Sequence, residues 1–158
     1  MKIFRNILIA GLVALTANTP AIAQEKASRE EAKALVDKAL AHIKSAGPDA
    51  AFTDFSTPGS KPWHDRDLYL FAYDFTGKNI AHGANPKLRN TNLIDLKTAD
   101  GKMLIRDMIE MTRSKGEGWI DYDWPHPQTK ALEKKSAYVK RIPGMDAFIG
   151  SGIYNIGK

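Results

Sequence analysis

Two segments hold the residues best suited to chemistry: GWIDYDWPHP, Gly118 to Pro127, and KKSAYVKR, Lys134 to Arg141. Lys135 supplies a cation, and Tyr122 and Tyr138 supply hydroxyls. Brought together, such groups make a clamp for a carboxylate, with the neighbouring aromatic rings keeping water out. On a strand, Trp119, Asp121 and Asp123 share one face and Ile120, Tyr122 and Trp124 share the other. The second set has the composition of a buried face, where a tyrosine hydroxyl needs a partner. The same alternation also suits a plain sheet core, so these residues alone leave pocket and core both open. Asp121 and Asp123 have the spacing of paired carboxylates and equally that of a solvated strand face.

Other chemistries lack their residues. His42, His64, His82 and His126 do not pair at metal-ligand spacing, and the chain has no cysteine. Disulfides and thiol chemistry are thereby excluded. Gly150-Ser151-Gly152 lacks the outer frame of a nucleophile elbow. It also fails as a dinucleotide fingerprint, because Asn155 stands where a third glycine belongs. No nucleophile, base and orienting group fall into a catalytic pattern. The expectation is a non-enzyme without cofactor or metal.

The elements that must position these side chains follow from periodicity. Ser28-Arg29-Glu30-Glu31 has the form of a capping box. Ala32, Leu35, Val36, Ala39, Leu40 and Ile43 then recur at helical spacing until Gly47-Pro48 stops the helix. A short second helix is predicted over Asp49 to Phe55. DLYLFAYD, Asp67 to Asp74, reads as a central strand buried on both faces, and Asn79 to Gly83 as its return. Ala84 to Gly101 is a long polar connection of the kind that often serves function. Asp100 is predicted to cap a helix from Lys102 to Lys115, with Leu104, Ile105, Met108, Ile109 and Met111 as its apolar stripe. Three strands close the chain: Trp119 to Trp124, Leu132 to Ile142, and Ala147 to Tyr154. Hairpin-length links imply an antiparallel sheet. The expected class is α+β, a five-stranded antiparallel sheet with helices packed on one side.

The chain has 158 residues, enough for one domain. Residues 1–23 read as a cleavable signal peptide: a basic start with Lys2 and Arg5, an apolar run from Ile7 to Ala17, and small residues at Ala21 and Ala23. That run is too short to span a bilayer, which takes ~20 residues. Cleavage before Gln24 leaves residues 24–158 as the single domain, in the periplasm or secreted. It also removes Lys2 and Arg5, so the formal charge of +5 falls by two to +3. No long basic run remains, and no nucleic-acid partner is expected.

Across nearly all of residues 24–154 the chain resembles the single Cache domains of bacterial extracytoplasmic sensing. The resemblance is carried by DLYLFAYDFTGKNIAHGANPKLRNTNLIDLKTADGK (67–102), GWIDYDWPHPQTKALEKKSAYVKRI (118–142) and FIGSGIY (148–154). It implies a PAS-like fold, with a long N-terminal helix packed on the sheet. It also implies a small-molecule site, commonly for short organic acids, on one side of that sheet. The positions that match are Phe71, His82, Trp119, Tyr122, Trp124, Lys135 and Tyr138, with Arg106 as a further candidate. On this resemblance Lys135 meets a carboxylate, Tyr122, Tyr138 and His82 exchange hydrogen bonds with it, and Phe71, Trp119 and Trp124 form an apolar wall. Most members pass through a membrane helix to an output module. Here no such module is expected in the same chain, so a membrane sensor kinase or chemoreceptor would receive the ligand state. A homodimer through the first helix and an interaction module with a vestigial pocket are the other partner readings.

Overall fold

The computed structural model describes residues 26–154 and 156. The expected signal peptide lies outside the described residues. No described helix is long and apolar enough to cross a membrane.

The first helix, α1, spans Arg29–Ala46. Its capping box forms as the sequence predicts: Glu31 N–H donates to Ser28 Oγ at 3.1 Å, and Ser28 N–H donates to Glu31 Oε2 at 2.7 Å. Gly47 ends α1 at φ +83, where a side chain would be strained, and hands over to α2, Pro48–Ser56. Proline fits that first helical position because its missing N–H would have no partner there.

Two short strands, β1 (His64–Asp65) and β2 (Leu68–Tyr69), make a small hairpin of their own. The main sheet contains β3 (Phe71–Asp74), β4 (Asn79–His82), β5 (Glu117–Pro125), β6 (Leu132–Arg141) and β7 (Ala147–Tyr154). Its order is β4-β3-β7-β6-β5, and every neighbouring pair is antiparallel. The last strand therefore sits at the centre, between the two halves of the sheet. The predicted strand from Asp67 to Asp74 is broken at Leu70 into β2 and β3, and all but its ends are fully buried.

The third helix, α3, spans Leu104–Lys115, with Met103 at its start and no side-chain cap. Asp100 does not cap it. Gly101, at φ +86, closes a tight turn in which Thr98 N–H donates to the Lys102 carbonyl, and the helix begins only beyond it. The Asp100 carboxylate instead accepts from Thr98 Oγ1 and pairs with Lys102 at 3.2 Å.

The α+β class and antiparallel sheet match the expectation, but the helical cover differs in one respect: it lies on both sides. Val36, Ala39, Phe52 and Phe55 of α1 and α2 pack with Leu70, Ala72, Tyr138 and Ile149 on one face. Leu104, Ile105, Met108 and Ile109 of α3 pack with Phe71, Tyr73, Tyr122 and Phe148 on the other. The reason lies in DLYLFAYD. Leu68, Leu70 and Ala72 point one way and Tyr69, Phe71 and Tyr73 the other, all apolar, so both faces need a lid. Each buried α3 side chain contributes about 1.5–3 kcal/mol by leaving water.

Candidate functional site

The face under α3 collects the groups of interest. Tyr69, Phe71 and Tyr73 alternate onto it along β2 and β3. Register brings the rest: Phe71 lies opposite His82, Tyr122 opposite Lys135, and Lys135 opposite Tyr154. Gly150, across from Phe71, makes room for that ring. A Cβ there would stand 2.6 Å from Phe71 Cζ.

Lys135 is completely buried, at 0 % exposure. Its Nζ donates to Tyr69 Oη at 2.8 Å and stands 4.0, 4.8 and 5.2 Å from the ring centres of Tyr69, Tyr154 and Phe71. No ion pair among the described residues includes it. Burial pulls its pKa well below the usual lysine value, against the opposing field of Asp67. From Tyr69 the hydrogen bonds run outward. Tyr154 gives its one proton to the Pro125 carbonyl at 3.1 Å, so Tyr69 must donate in the 2.9 Å contact between the two hydroxyls. The chain thus links Lys135 to the end of β5.

His82 is 3 % exposed. Its Nδ1 accepts from Asn85 N–H at 3.1 Å, which leaves the ring proton on Nε2. Burial, then the nearby Lys135, pushes its pKa down to about 3, so the ring is neutral at ordinary pH. Burial likewise raises Tyr73 to about 12 and holds Tyr69, Tyr122 and Tyr154 above the usual phenol value. All four remain hydroxyls, able to donate and accept.

Between these side chains and Leu104, Ile105 and Met108 of α3 lies a cavity of only about 10 Å³. That is about the minimum for one water molecule. Tyr69, His82 and Trp124 also line an outer cleft of about 380 Å³, which continues past Asn85, Lys87 and Lys130. These three residues therefore form the partition between chamber and cleft.

Of the residues singled out in the sequence, Phe71, His82, Tyr122 and Trp124 line the inner cavity. Lys135 does not line it but sits against two of its walls, Tyr69 and Phe71. Trp119 and Tyr138 lie on the opposite face and correct the clamp drawn from the sequence. Positions 119 and 122, like 135 and 138, are three apart, and an odd step along a strand changes face. Trp119 packs beneath the Arg29 guanidinium, 4.6 Å from the ring centre, with Tyr138 at 5.5 Å. Arg106 is also elsewhere. It projects from the outer side of α3, pairs with Asp95 and donates from Nε to the Ile94 carbonyl at 3.2 Å.

Tyr69, Tyr73, Tyr154 and the α3 residues were missed as site residues. Tyr69 and Tyr73 carried a signal, since they share the period of Phe71. Tyr154 carried none, because its place beside Lys135 depends on the β6–β7 register. No group of three His, Asp or Glu side chains converges on a metal position among the described residues.

Comparison with known proteins agrees with this architecture. A Cache domain family model matches residues 59–155. The methyl-accepting chemotaxis protein McpP of Pseudomonas putida is 32% identical over 91 residues, 58% of this chain and 17% of that protein. The sensor histidine kinase MctS of Rhizobium johnstonii is 31% identical over 91 residues, again 58% of this chain and 20% of that protein. The chain thus spans a fifth or less of the curated relatives it matches. Among solved structures, a methyl-accepting chemotaxis protein from Vibrio parahaemolyticus aligns with TM-score 0.68 and 28% identity, covering 79% of this chain and 86% of that one. A Cache chemosensory domain described for carboxylic acid recognition aligns with TM-score 0.67 and 25% identity, covering 79% and 91%.

Proposed function

The chain belongs to the Cache domain family, and on that premise we propose that it is an extracytoplasmic, non-enzymatic sensor domain for a short organic acid. Its ligand occupies the chamber between α3 and the sheet. A separate membrane protein, a sensor kinase or chemoreceptor, receives the ligand state. The observation that carries this reading is Lys135: a buried amine without an acidic partner, set against tyrosine hydroxyls and aromatic rings. A ligand carboxylate supplies the missing counter-charge, and the Tyr69 and Tyr122 hydroxyls and His82 Nε2–H supply hydrogen bonds. The Cache domain solved for carboxylic acid recognition supports the same ligand class. With about 10 Å³ available, the walls must part before a two-carbon acid fits. Trp124, between chamber and outer cleft, is the side chain placed to do so.

The test is thermal melting of residues 24–158 against acetate, propionate, lactate, pyruvate, short dicarboxylates and amino acids. Ligand at about 100 times its dissociation constant adds ~2.7 kcal/mol. At ~3–4 °C per kcal/mol for a domain of this size, the melting point rises on the order of 10 °C. Lys135→Ala abolishes the shift. No shift with any acid sinks the reading.

The nearly closed chamber favours one second reading, an interaction module whose pocket is vestigial. A partner recovered from periplasmic extract without added ligand, together with a flat melting panel, selects that alternative.

A further inference from the structure

We propose that the chamber binds a single carboxylate together with one proton from solvent, Lys135 being the group that takes the proton. The proposal rests on the ligand reading above and adds the charge state in which the acid is held. In the empty chamber the amine is neutral. As the carboxylate seats, the amine takes up a proton, and the pair formed is carboxylate against ammonium. The acid therefore enters with no net charge.

The argument is geometric. A buried ammonium needs an anion or a full set of acceptors, and leaving it without them costs several kcal/mol. Lys135 has one hydrogen-bond acceptor, the Tyr69 hydroxyl, and three ring faces. Every element around it was considered. β5 presents Tyr122, β7 presents Tyr154, and β2 presents Tyr69. β3 presents Phe71 and Tyr73, and β4 presents His82, neutral through its fixed tautomer. α3 presents Leu104, Ile105 and Met108, none of them titratable. On β6 itself Glu133 shares the face and holds Thr129 Oγ1 at 3.3 Å. Asp67, just before β2, is buried with one oxygen unpartnered, and its field reaches Lys135 without an ion pair forming. That field partly offsets the burial, which still pulls the amine towards its neutral form. A ligand carboxylate in contact reverses the balance, since an opposite charge within about 4–6 Å favours the ammonium. The chamber walls offer no second cation, so a second carboxylate would be buried unpaired.

Calorimetry of acetate and propionate binding in buffers of differing ionisation enthalpy counts the protons. The expected result is an uptake of about one proton per ligand. Affinity falls about tenfold per pH unit above the empty-site pKa of Lys135, and succinate binds at least ~10-fold more weakly than propionate. The ¹⁵Nζ shift of Lys135 should report a neutral amine in the empty domain and an ammonium with acetate bound. Lys135→Met, which removes the charge while keeping the volume, should melt at or above wild type and lose both the binding and the proton. Acetate binding without proton uptake, or an ammonium already present in the empty domain, overturns the proposal and leaves the carboxylate reading standing. Succinate binding as tightly as propionate removes the single-carboxylate limit and overturns the proposal as stated. Failure of acetate, propionate, lactate and pyruvate alike to bind removes the ligand reading and the proposal together.

Discussion

His82 makes the stability of the domain depend on acid in a predictable window. Its folded pKa is held near 3 by burial, against a model value of 6.5. Between those values the unfolded chain binds a proton at this residue and the folded chain does not. Stability therefore rises with pH across the window and is lost as pH falls through it. Above about pH 7 both states are neutral and the residue contributes no pH dependence. At pH 4.5, two units below 6.5, the cost is about 2.7 kcal/mol, from ~1.36 kcal/mol per unit. The assay is urea unfolding of residues 24–158 at pH 7.5 and 4.5, for wild type and His82→Gln. Glutamine keeps an acceptor within reach of Asn85 N–H, so the comparison isolates the titration. The variant should lose about 2–3 kcal/mol less than wild type between the two pH values. Equal losses in both proteins would mean that the ring is protonated in the fold, and the neutral donor assigned to the chamber wall would be wrong.

Two substitutions test the allocation of faces and the fit of the central strand. Tyr69→Phe removes the hydroxyl against Lys135 and should weaken acetate binding about tenfold, whereas Tyr138→Phe, on the α1 face, should leave it within twofold by calorimetry. Equal effects would return Tyr138 to the site. Gly150→Ala places a methyl 2.6 Å from Phe71 Cζ and 2.8 Å from the Tyr138 carbonyl, and should destabilise by ~1–3 kcal/mol in urea. Wild-type stability would show that Phe71 yields easily.

The sequence by itself determined whatever depends on near neighbours along the chain. The α1 capping box, its stop at Gly47-Pro48, the apolar stripe of α3 and the aromatic alternation of β5 are all local patterns, and each has its counterpart in the fold. Face parity was local too. Counting by twos from Tyr122 already set Trp119 apart, and counting from Lys135 would have set Tyr138 apart. Those two were drawn into one clamp by proximity in sequence, which says little about direction on a strand. The turn at Gly101 displaced the start of α3 from Asp100, because backbone conformation at one residue outweighed a capping preference. What only the tertiary structure decided is non-local. The β6–β7 register sets Tyr154 beside Lys135, and the passage of α3 to the face opposite α1 roofs the chamber. The absence of any acid within ion-pair distance of the Lys135 amine belongs here as well. It depends on side chains from five strands and a helix meeting at one point, and no window of sequence contains them all.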